Sequence, residues 1–126
     1  MILVDTSIWV DHLGAAREPR LEQLLNNEYV LMHPFIVGEL ALGSLGKRDM
    51  VLGAMTLLPQ AVRASHDEAI HFLHAERLFG KGIGYVDLHL LASTRLTPGA
   101  SLWTKDKRLR SVAVALNLSV EPPLYH

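Results

Sequence analysis

Residues 1–7 of the chain read MILVDTS, an apolar run that stops abruptly at Asp5. A continuous apolar run is typical of a strand buried on both faces, as in a parallel sheet, and the polar residues after it indicate a turn into a helix. The apolar runs at residues 29–32 and 101–103 also end in polar residues before a helical segment. Strands that alternate with helices predict an α/β fold, a three-layer α/β/α sandwich with a mostly parallel central sheet.

The predicted elements cover most of the chain. Strands are expected at residues 2–4, 29–32, 61–64, 101–103 and 118–120. Helices are expected at residues 8–13, 18–27, 34–45, 48–58, 66–79, 85–95 and 106–117. Gly46 and Pro59 are expected to end the third and fourth helices, and the spacing of Ser65 and Glu68 predicts a capping box at the start of the fifth. We expect residues 1–126 to form a single domain.

The composition narrows the function classes. The chain has 126 residues, of which 49% are hydrophobic, and it has no cysteine. Without cysteine there are no disulfide frameworks and no thiolate zinc sites, which leaves carboxylates and imidazoles as the strong metal ligands. The N-terminus has no basic leader, and its apolar run is too short for a signal peptide or a membrane span. We therefore expect a cytoplasmic protein without a membrane segment.

Positive charge is concentrated in one part of the sequence. The formal net charge of −1 argues against nucleic-acid binding through bulk charge, because non-specific affinity comes mainly from Lys and Arg that neutralise phosphates. Four basic residues surround Asp106, namely Lys105, Lys107, Arg108 and Arg110. They form either the solvated face of a helix or a local phosphate-binding surface.

Four acidic residues lie near the carboxyl ends of predicted strands, where open α/β sheets bind their ligands. Asp5 ends the first strand, and Asp106 follows a later one. Asp87 lies in the first turn of a helix after a glycine-rich loop, and Glu39 lies a turn into the helix after the second strand. Asp5, Asp87 and Asp106, each taken alone, also suit a helix cap or a partner for a helix dipole.

Glu39 and Asp87 are expected to face apolar surroundings. Helical periodicity places Glu39 between Phe35, Ile36 and Leu42, with no Lys or Arg within four residues. Asp87 shares a helical face with Leu90. A carboxylate that is buried without a paired cation is costly, so another group has to compensate its charge.

A divalent cation is the compensation that this chemistry favours. If the four acids converge, their repulsion drives some of them to take up protons unless a cation lies among them. Hard oxygen ligands select Mg²⁺ or Mn²⁺, which can clamp a phosphodiester and lower the pKa of a bound water. Thr6, Ser7 and Thr104 are the neighbouring hydroxyls, although each is also typical of a turn or cap.

Four segments carry a family resemblance: MILVDTSIW at residues 1–9, VGEL at 37–40, GIGYVD at 82–87 and LWTKD at 102–106. With these segments, the chain resembles the PIN domain family and, within it, the VapC-type toxins of bacterial toxin–antitoxin pairs. An Asp-Thr-Ser triplet alone carries little weight. Four acids in matching contexts, in the family's order and in a chain of matching length, make a strong joint signal.

The resemblance implies an α/β/α fold whose acidic pocket binds Mg²⁺ or Mn²⁺ and cleaves RNA endonucleolytically. The implied metal-site and catalytic acids are Asp5, Glu39, Asp87 and Asp106. The family's fourth acid varies in position, so Asp11 or Asp67 could replace Asp106. Ser7 and Thr104 fall where the family often has a supporting hydroxyl.

The resemblance also implies how the protein works and with what. RNA hydrolysis by a metal-activated water leaves a 5′-phosphate and a 3′-hydroxyl, and the basic residues around Asp106 would bind the flanking phosphates. The family implies a homodimer and inhibition by a small antitoxin, whose tail enters the active-site groove.

Three other functions are weighed against this one. An aspartate-nucleophile phosphohydrolase usually has a second aspartate two residues after the first, where this chain has Ser7. A receiver-type signalling domain needs an acidic pair at the first strand and a phosphoacceptor aspartate after a middle strand, and neither is present. A non-catalytic PIN-like RNA-binding module keeps the fold without turnover, so metal-dependent cleavage separates it from an enzyme.

Histidine and aromatic residues add two weaker hypotheses. His71 and His74 are three apart on a predicted helix, but this spacing fails the His-Glu-x-x-His zinc pattern, so we expect surface or core histidines. Trp9, Trp103 and Tyr85 could stack on nucleic-acid bases, but core packing is the favoured expectation.

Overall fold

The computed structural model describes residues 1–120. Within this range the elements are β1 (Ile2–Val4), α1 (Thr6–Leu13), α2 (Pro19–Asn26), β2 (Val30–Leu31), α3 (Pro34–Ala41), α4 (Arg48–Thr56), α5 (His66–Ala75), α6 (Tyr85–Leu96), β3 (Ser101–Trp103) and α7 (Lys107–Ala115). Helices and strands alternate as the sequence predicts, which confirms the α/β fold class. No helix of the described range is long and apolar enough to cross a membrane.

The sheet has the strand order β2-β1-β3, and both strand pairs are parallel. Ile2 is in register with Val30 on one side and with Ser101 on the other. The connection from β1 to β2 runs in one direction along the sheet, and the connection from β2 to β3 runs in the other direction past β1. Because parallel crossovers are right-handed, the two connections place their helices on opposite faces of the sheet. The parallel arrangement also brings the carboxyl ends of all three strands to one edge, where Asp5 and Asp106 follow β1 and β3.

The core consists of the sheet and the helix faces that cover it. Its largest fully buried side chains are Trp103, Leu3, Ile8, Leu21, Met32, Ile36, Leu90, Leu91, Leu102 and Leu109. Continuous apolar strands are explained by this arrangement, since β1 and β2 are covered on both faces.

Two predicted strands are reduced to single bridges. Residues 61–64 form no ladder, and the single bridge lies just before them, where Gln60 pairs in parallel with Met32. The N–H groups of Val62 and Ala64 donate instead to the hydroxyls of Thr97 and Ser93, so no ladder continues. Residues 118–120 likewise form one parallel bridge, between Ser119 and Leu102.

Two helices end earlier than predicted. Helix α3 stops at Ala41 rather than near residue 45, with the 90% exposed Leu42 as its C-cap and Gly43, a poor helix former, directly after it. Helix α5 begins with the predicted Ser65 capping box but ends at Ala75 rather than near residue 79. Arg77 there takes a left-handed φ of 55°, and the N–H of the buried Leu78 donates to the Leu73 carbonyl.

Candidate active site

Asp5 is fixed by two hydroxyls. It follows β1 directly and is 6% exposed, and its side chain makes no capping hydrogen bond to α1. Its Oδ2 accepts hydrogen bonds from Thr104 Oγ1 at 2.7 Å and from Ser7 Oγ at 3.0 Å. The carboxylate is therefore oriented by side chains from both neighbouring strand ends, which a helix cap does not require.

The loop after β3 is tied to the same group of residues. Thr104 Oγ1 accepts a hydrogen bond from the N–H of Asp106 at 3.1 Å. Asp106 is the N-cap of α7, and its Oδ1 accepts from the N–H groups of Arg108 and Leu109 at 2.9 and 3.0 Å. Asp106 thus has the capping role that its position predicts, and both of these bonds use the same carboxylate oxygen.

Glu39 reaches the site from α3, and one expectation about it is wrong. The side chain is exposed, and its Oε1 accepts a hydrogen bond from Thr6 Oγ1 at 2.6 Å. Of the apolar neighbours expected around it, only Ile36 is fully buried. Because the helix ends at Ala41, Leu42 does not extend its apolar face, and Glu39 lies at the solvent side beside α1.

Asp87 is the acid whose pKa is affected by the other three candidate acids. It is half-buried in the first turn of α6, and its Oδ2 accepts from the N–H of Gly84 at 3.2 Å. Burial raises the pKa of this carboxyl, the hydrogen bond from Gly84 opposes that shift, and the negative charges of the other three acids raise the pKa further. Those three acids are Asp5, Asp106 and Glu39. The structure therefore places Asp5, Asp106 and Glu39 within electrostatic range of Asp87.

The donor set fits a hard divalent cation in kind and charge. All four candidate residues are carboxylates, and no cation among the described residues is a cause of the pKa shift of Asp87. Repulsion of this kind is relieved by Mg²⁺ or Mn²⁺, which prefer oxygen ligands. Across residues 1–120, however, no three acidic or histidine side chains stand close enough to hold one ion as they are placed. Closing a coordination shell therefore requires one or more carboxylates, such as the exposed Glu39, to move.

Comparison with known proteins identifies the family of the chain. The PIN domain family matches residues 2–115. The chain belongs to the PIN domain family. Two relatives, both named Ribonuclease VapC32, come from Mycobacterium tuberculosis strains H37Rv and CDC 1551. Each is 48% identical over 111 residues, which cover 88% of this chain and 89% of the relative.

The alternative acids of this PIN domain have other surroundings. Asp11 Oδ2 accepts a hydrogen bond from Lys105 Nζ at 2.6 Å. Asp67 lies on α5 and lines a separate cavity of about 480 Å³ together with Arg95. Neither residue contributes to the raised pKa of Asp87, whereas Asp106 does. The geometry thus favours Asp106 as the fourth acid.

The basic residues around Asp106 differ in their surroundings in this PIN domain. Lys105 is paired with Asp11 and also lies 3.9 Å from Glu18. Lys107 and Arg108 are exposed on the first turn of α7, and Arg110 is half-buried. The Arg108 side chain crosses Gly82, where an added Cβ would lie 2.8 Å from its Cδ. Gly82 therefore allows Arg108 to pass over the loop that leads to Asp87.

Trp9 and Trp103 are buried in the core, as expected, and His71 and His74 are exposed. The expectation of core packing is wrong for Tyr85, which is 49% exposed. The reason is its position at the first residue of α6, at the rim of the site.

A chain of aromatic rings beside the acids was missed from the sequence. Phe35 on α3 packs edge-on against His89, which in turn packs edge-on against Tyr85. The rings of Tyr85 and His66 lie 5.7 Å apart, and their polar atoms are joined by a hydrogen bond. The i, i+4 spacing of Tyr85 and His89 was the available signal, but Phe35 and His66 join the cluster only through the tertiary fold.

Proposed function

We propose that this chain is a ribonuclease toxin that hydrolyses RNA endonucleolytically and is held in check by a small antitoxin. Its site would bind Mg²⁺ or Mn²⁺ through Asp5, Glu39, Asp87 and Asp106. The observation that carries this proposal is the placement of Asp5 and Asp106 at the carboxyl ends of β1 and β3, joined through Thr104, with their charges and that of Glu39 in electrostatic range of the half-buried Asp87. The 48% identity to relatives named Ribonuclease VapC32 supports RNA as the substrate and a toxin as the protein class.

Each acid has a distinct part in this proposal. Asp5 is held in one orientation by Thr104 and Ser7, and Glu39 is held by Thr6. Burial and the charges of the other three acids raise the pKa of Asp87, so a cation bound beside it would stabilise its charged form. A bound divalent cation supplies charge neutralisation and lowers the pKa of water at the scissile phosphate.

The expected reaction is hydrolysis by in-line attack. Water adds to phosphorus, the bond from phosphorus to the 3′ oxygen breaks, and the proton that water loses ends on that oxygen. The products carry a 5′-phosphate and a 3′-hydroxyl. Lys107 and Arg108, which form no ion pair within the described part of the chain, would hold the flanking phosphates. Lys105 and Arg110 lie beside them and would contribute positive potential.

The antitoxin and a second copy of the chain are the proposed protein partners. The support is exposed apolar surface near α1, α3 and α4, where Leu42 and Met50 are 90% and 63% exposed. Val10, on α1, is also exposed. Exposed apolar surface of this kind is typical of protein interfaces, whose centres contain few charged residues.

Cleavage of total cellular RNA by the purified chain tests the enzymatic proposal. The reaction is run with Mg²⁺ or Mn²⁺ and with EDTA, and new 5′ ends are sequenced. Asp5→Asn is the site variant, and Asp67→Asn, an exposed acid on α5, is the matched control. We expect cleavage by the wild type and Asp67→Asn proteins and its loss with EDTA or Asp5→Asn. Equal cleavage by the wild type and Asp5→Asn proteins overturns the catalytic assignment.

A non-catalytic RNA-binding module is the second candidate. The observation in its favour is that no three acids of residues 1–120 are close enough to hold one ion as placed. RNA that is bound but not cleaved under any metal condition would establish this alternative. Metal-dependent cleavage that requires Asp5 would exclude it.

A further inference from the structure

Tyr85 and His66 form an exposed pair of rings at the rim of the acidic site. Tyr85 is 49% exposed at the first residue of α6, and His66 is exposed at the first residue of α5. Their rings lie 5.7 Å apart with an interplanar angle of 40°. Solvent therefore reaches an aromatic surface that contributes little to the core.

Contacts on several sides hold the pair in place. The Tyr85 hydroxyl and His66 Nδ1 are 2.7 Å apart in a hydrogen bond. The rings of Tyr85 and His89 pack in a T-shaped arrangement with their centroids 4.6 Å apart, and His89 packs against Phe35 in the same manner. The capping box of Ser65 fixes the start of the helix that carries His66. A ring that is already ordered loses little conformational entropy when a ligand binds.

The position of the pair relates it to the acids. Tyr85 precedes Asp87 by two residues in the first turn of α6. Phe35, at the other end of the ring contacts, lies on α3 four residues before Glu39. The ring contacts therefore join the two helices that carry Glu39 and Asp87, and Tyr85 and Phe35 each lie within about one helical turn of one of these acids.

We infer that Tyr85 and His66 form a stacking site for one unpaired base next to the scissile phosphate. This inference rests on the proposed ribonuclease function and adds a requirement for unpaired RNA at the cleavage point. A flat aromatic face accepts any base, because every base has a π face, and such stacking is how proteins hold splayed-out bases of single-stranded loops. The site would thus select RNA conformation more than base identity.

RNA binding by variants of Tyr85 tests the inference. The probe is a short, random-sequence single-stranded RNA with a fluorescent label, and every protein carries Asp5→Asn so that the probe stays intact. Tyr85→Phe keeps the ring, Tyr85→Leu keeps bulk against His89, and Tyr85→Ala removes the side chain. The control is Tyr29→Ala, because Tyr29 is 53% exposed and precedes β2, at the opposite edge of the sheet.

The expected result follows from the energy of base stacking. Tyr85→Leu and Tyr85→Ala weaken binding by roughly 5- to 150-fold, whereas Tyr85→Phe and Tyr29→Ala have little effect. Thermal unfolding checks that each variant is folded. If Tyr85→Ala is not folded, Tyr85→Leu is used for the comparison with the wild type. Unchanged affinity of Tyr85→Leu, an equal loss with Tyr29→Ala, or no RNA binding by the Asp5→Asn protein overturns the inference.

Abasic substrates identify the stacked base. Once cleavage sites are mapped, oligonucleotides are made with a single abasic nucleotide at each flanking position. We expect one position to lower kcat/KM of the wild type and to leave Tyr85→Leu unaffected, since that variant has no ring to lose contact with. If the abasic substitution lowers kcat/KM equally in the wild type and in Tyr85→Leu at every position, the stacking site is overturned while the ribonuclease proposal stands. Failure of the ribonuclease proposal shows differently, as cleavage that persists in Asp5→Asn.

Discussion

Thr104 Oγ1 donates a hydrogen bond of 2.7 Å to Oδ2 of Asp5, from a position 99 residues away in the sequence. The bond joins the carboxyl ends of β1 and β3, which are neighbours in the sheet. The same hydroxyl accepts from the N–H of Asp106, so one threonine orients two of the four acids. Its placement depends on parallel pairing, because only parallel strands bring both carboxyl ends to one edge.

Replacing this threonine should therefore reduce activity more than stability. Thr104→Val keeps the shape but loses both hydrogen bonds, and we expect kcat/KM on a cleaved oligonucleotide to fall by roughly 10- to 100-fold, as for outer-shell partners of metal ligands. Thr104→Ser keeps the hydroxyl and should keep most activity. Thr56→Val, on α4, is the matched control. Wild-type activity in Thr104→Val would show that the orientation of Asp5 does not depend on this bond.

Thr6 has the corresponding role for Glu39. Its Oγ1 donates to Glu39 Oε1 at 2.6 Å and holds an exposed side chain that otherwise samples many rotamers. We expect Thr6→Val to lower kcat with a smaller change in KM and to be rescued by Thr6→Ser. If the Thr6→Val change only misplaces Glu39, a higher Mg²⁺ concentration should restore part of the rate. Identical kinetics for Thr6→Val and the wild type would contradict this role.

Much of the fold and the identity of the clustered acids follow from local patterns. The runs at 2–4 and 101–103 are short, apolar and flanked by polar residues, so their burial and parallel pairing could be read from the sequence alone. Asp5, Asp87 and Asp106 are linked to strand or helix ends, which a pattern locates well. The charges of Asp5 and Asp106 act on Asp87, and their convergence on one metal stays a prediction.

The sequence-based predictions fail where they depend on the exact end of a helix or on contacts between distant elements. The orientation of Glu39 was inferred from a helix that included Leu42, but this helix ends at Ala41. Exposure of Tyr85 could not be read from composition, because an aromatic residue at the first position of a helix is buried only if another element covers it. The ring beside it, His66, lies 19 residues away in the sequence and on another helix, so local spacing does not reveal the contact.

The raised pKa of Asp87 predicts a specific dependence of stability on pH. A carboxyl with a higher pKa in the folded than in the unfolded chain binds more protons when folded, between the two pKa values. Its contribution therefore favours folding at low pH and is lost as pH rises through the folded value. We expect Asp87→Asn to raise the thermal midpoint at pH 7 in EDTA. The gain should vanish well below the ordinary aspartate value of 3.8. A loss of stability at neutral pH would contradict repulsion at this site.

Gly82 and Gly80 form a pair of test positions in the loop before α6. Both have positive φ, +79° and +73°, but a Cβ at Gly82 would meet Arg108, whereas one at Gly80 would meet open space. We expect each Ala variant to lose about 1–2 kcal/mol of unfolding free energy from backbone strain. Only Gly82→Ala should also weaken RNA binding, because it displaces Arg108. Urea unfolding and RNA titration measure the two effects, and equal RNA affinity in both variants would exclude a role for Arg108.

The salt dependence of RNA binding should separate the basic residues. Lys105 is already paired with Asp11 at 2.6 Å, so a phosphate contact would require it to exchange partners, whereas Lys107 and Arg108 are exposed without an ion pair among residues 1–120. Each phosphate contact to single-stranded RNA contributes about 0.7 to the slope of log affinity against log salt concentration. Lys107→Gln and Arg108→Gln should each reduce the slope by about that amount, and Lys105→Gln should leave it unchanged. An equal reduction in Lys105→Gln would mean that RNA opens the pair with Asp11, in which case Asp11→Asn should strengthen binding.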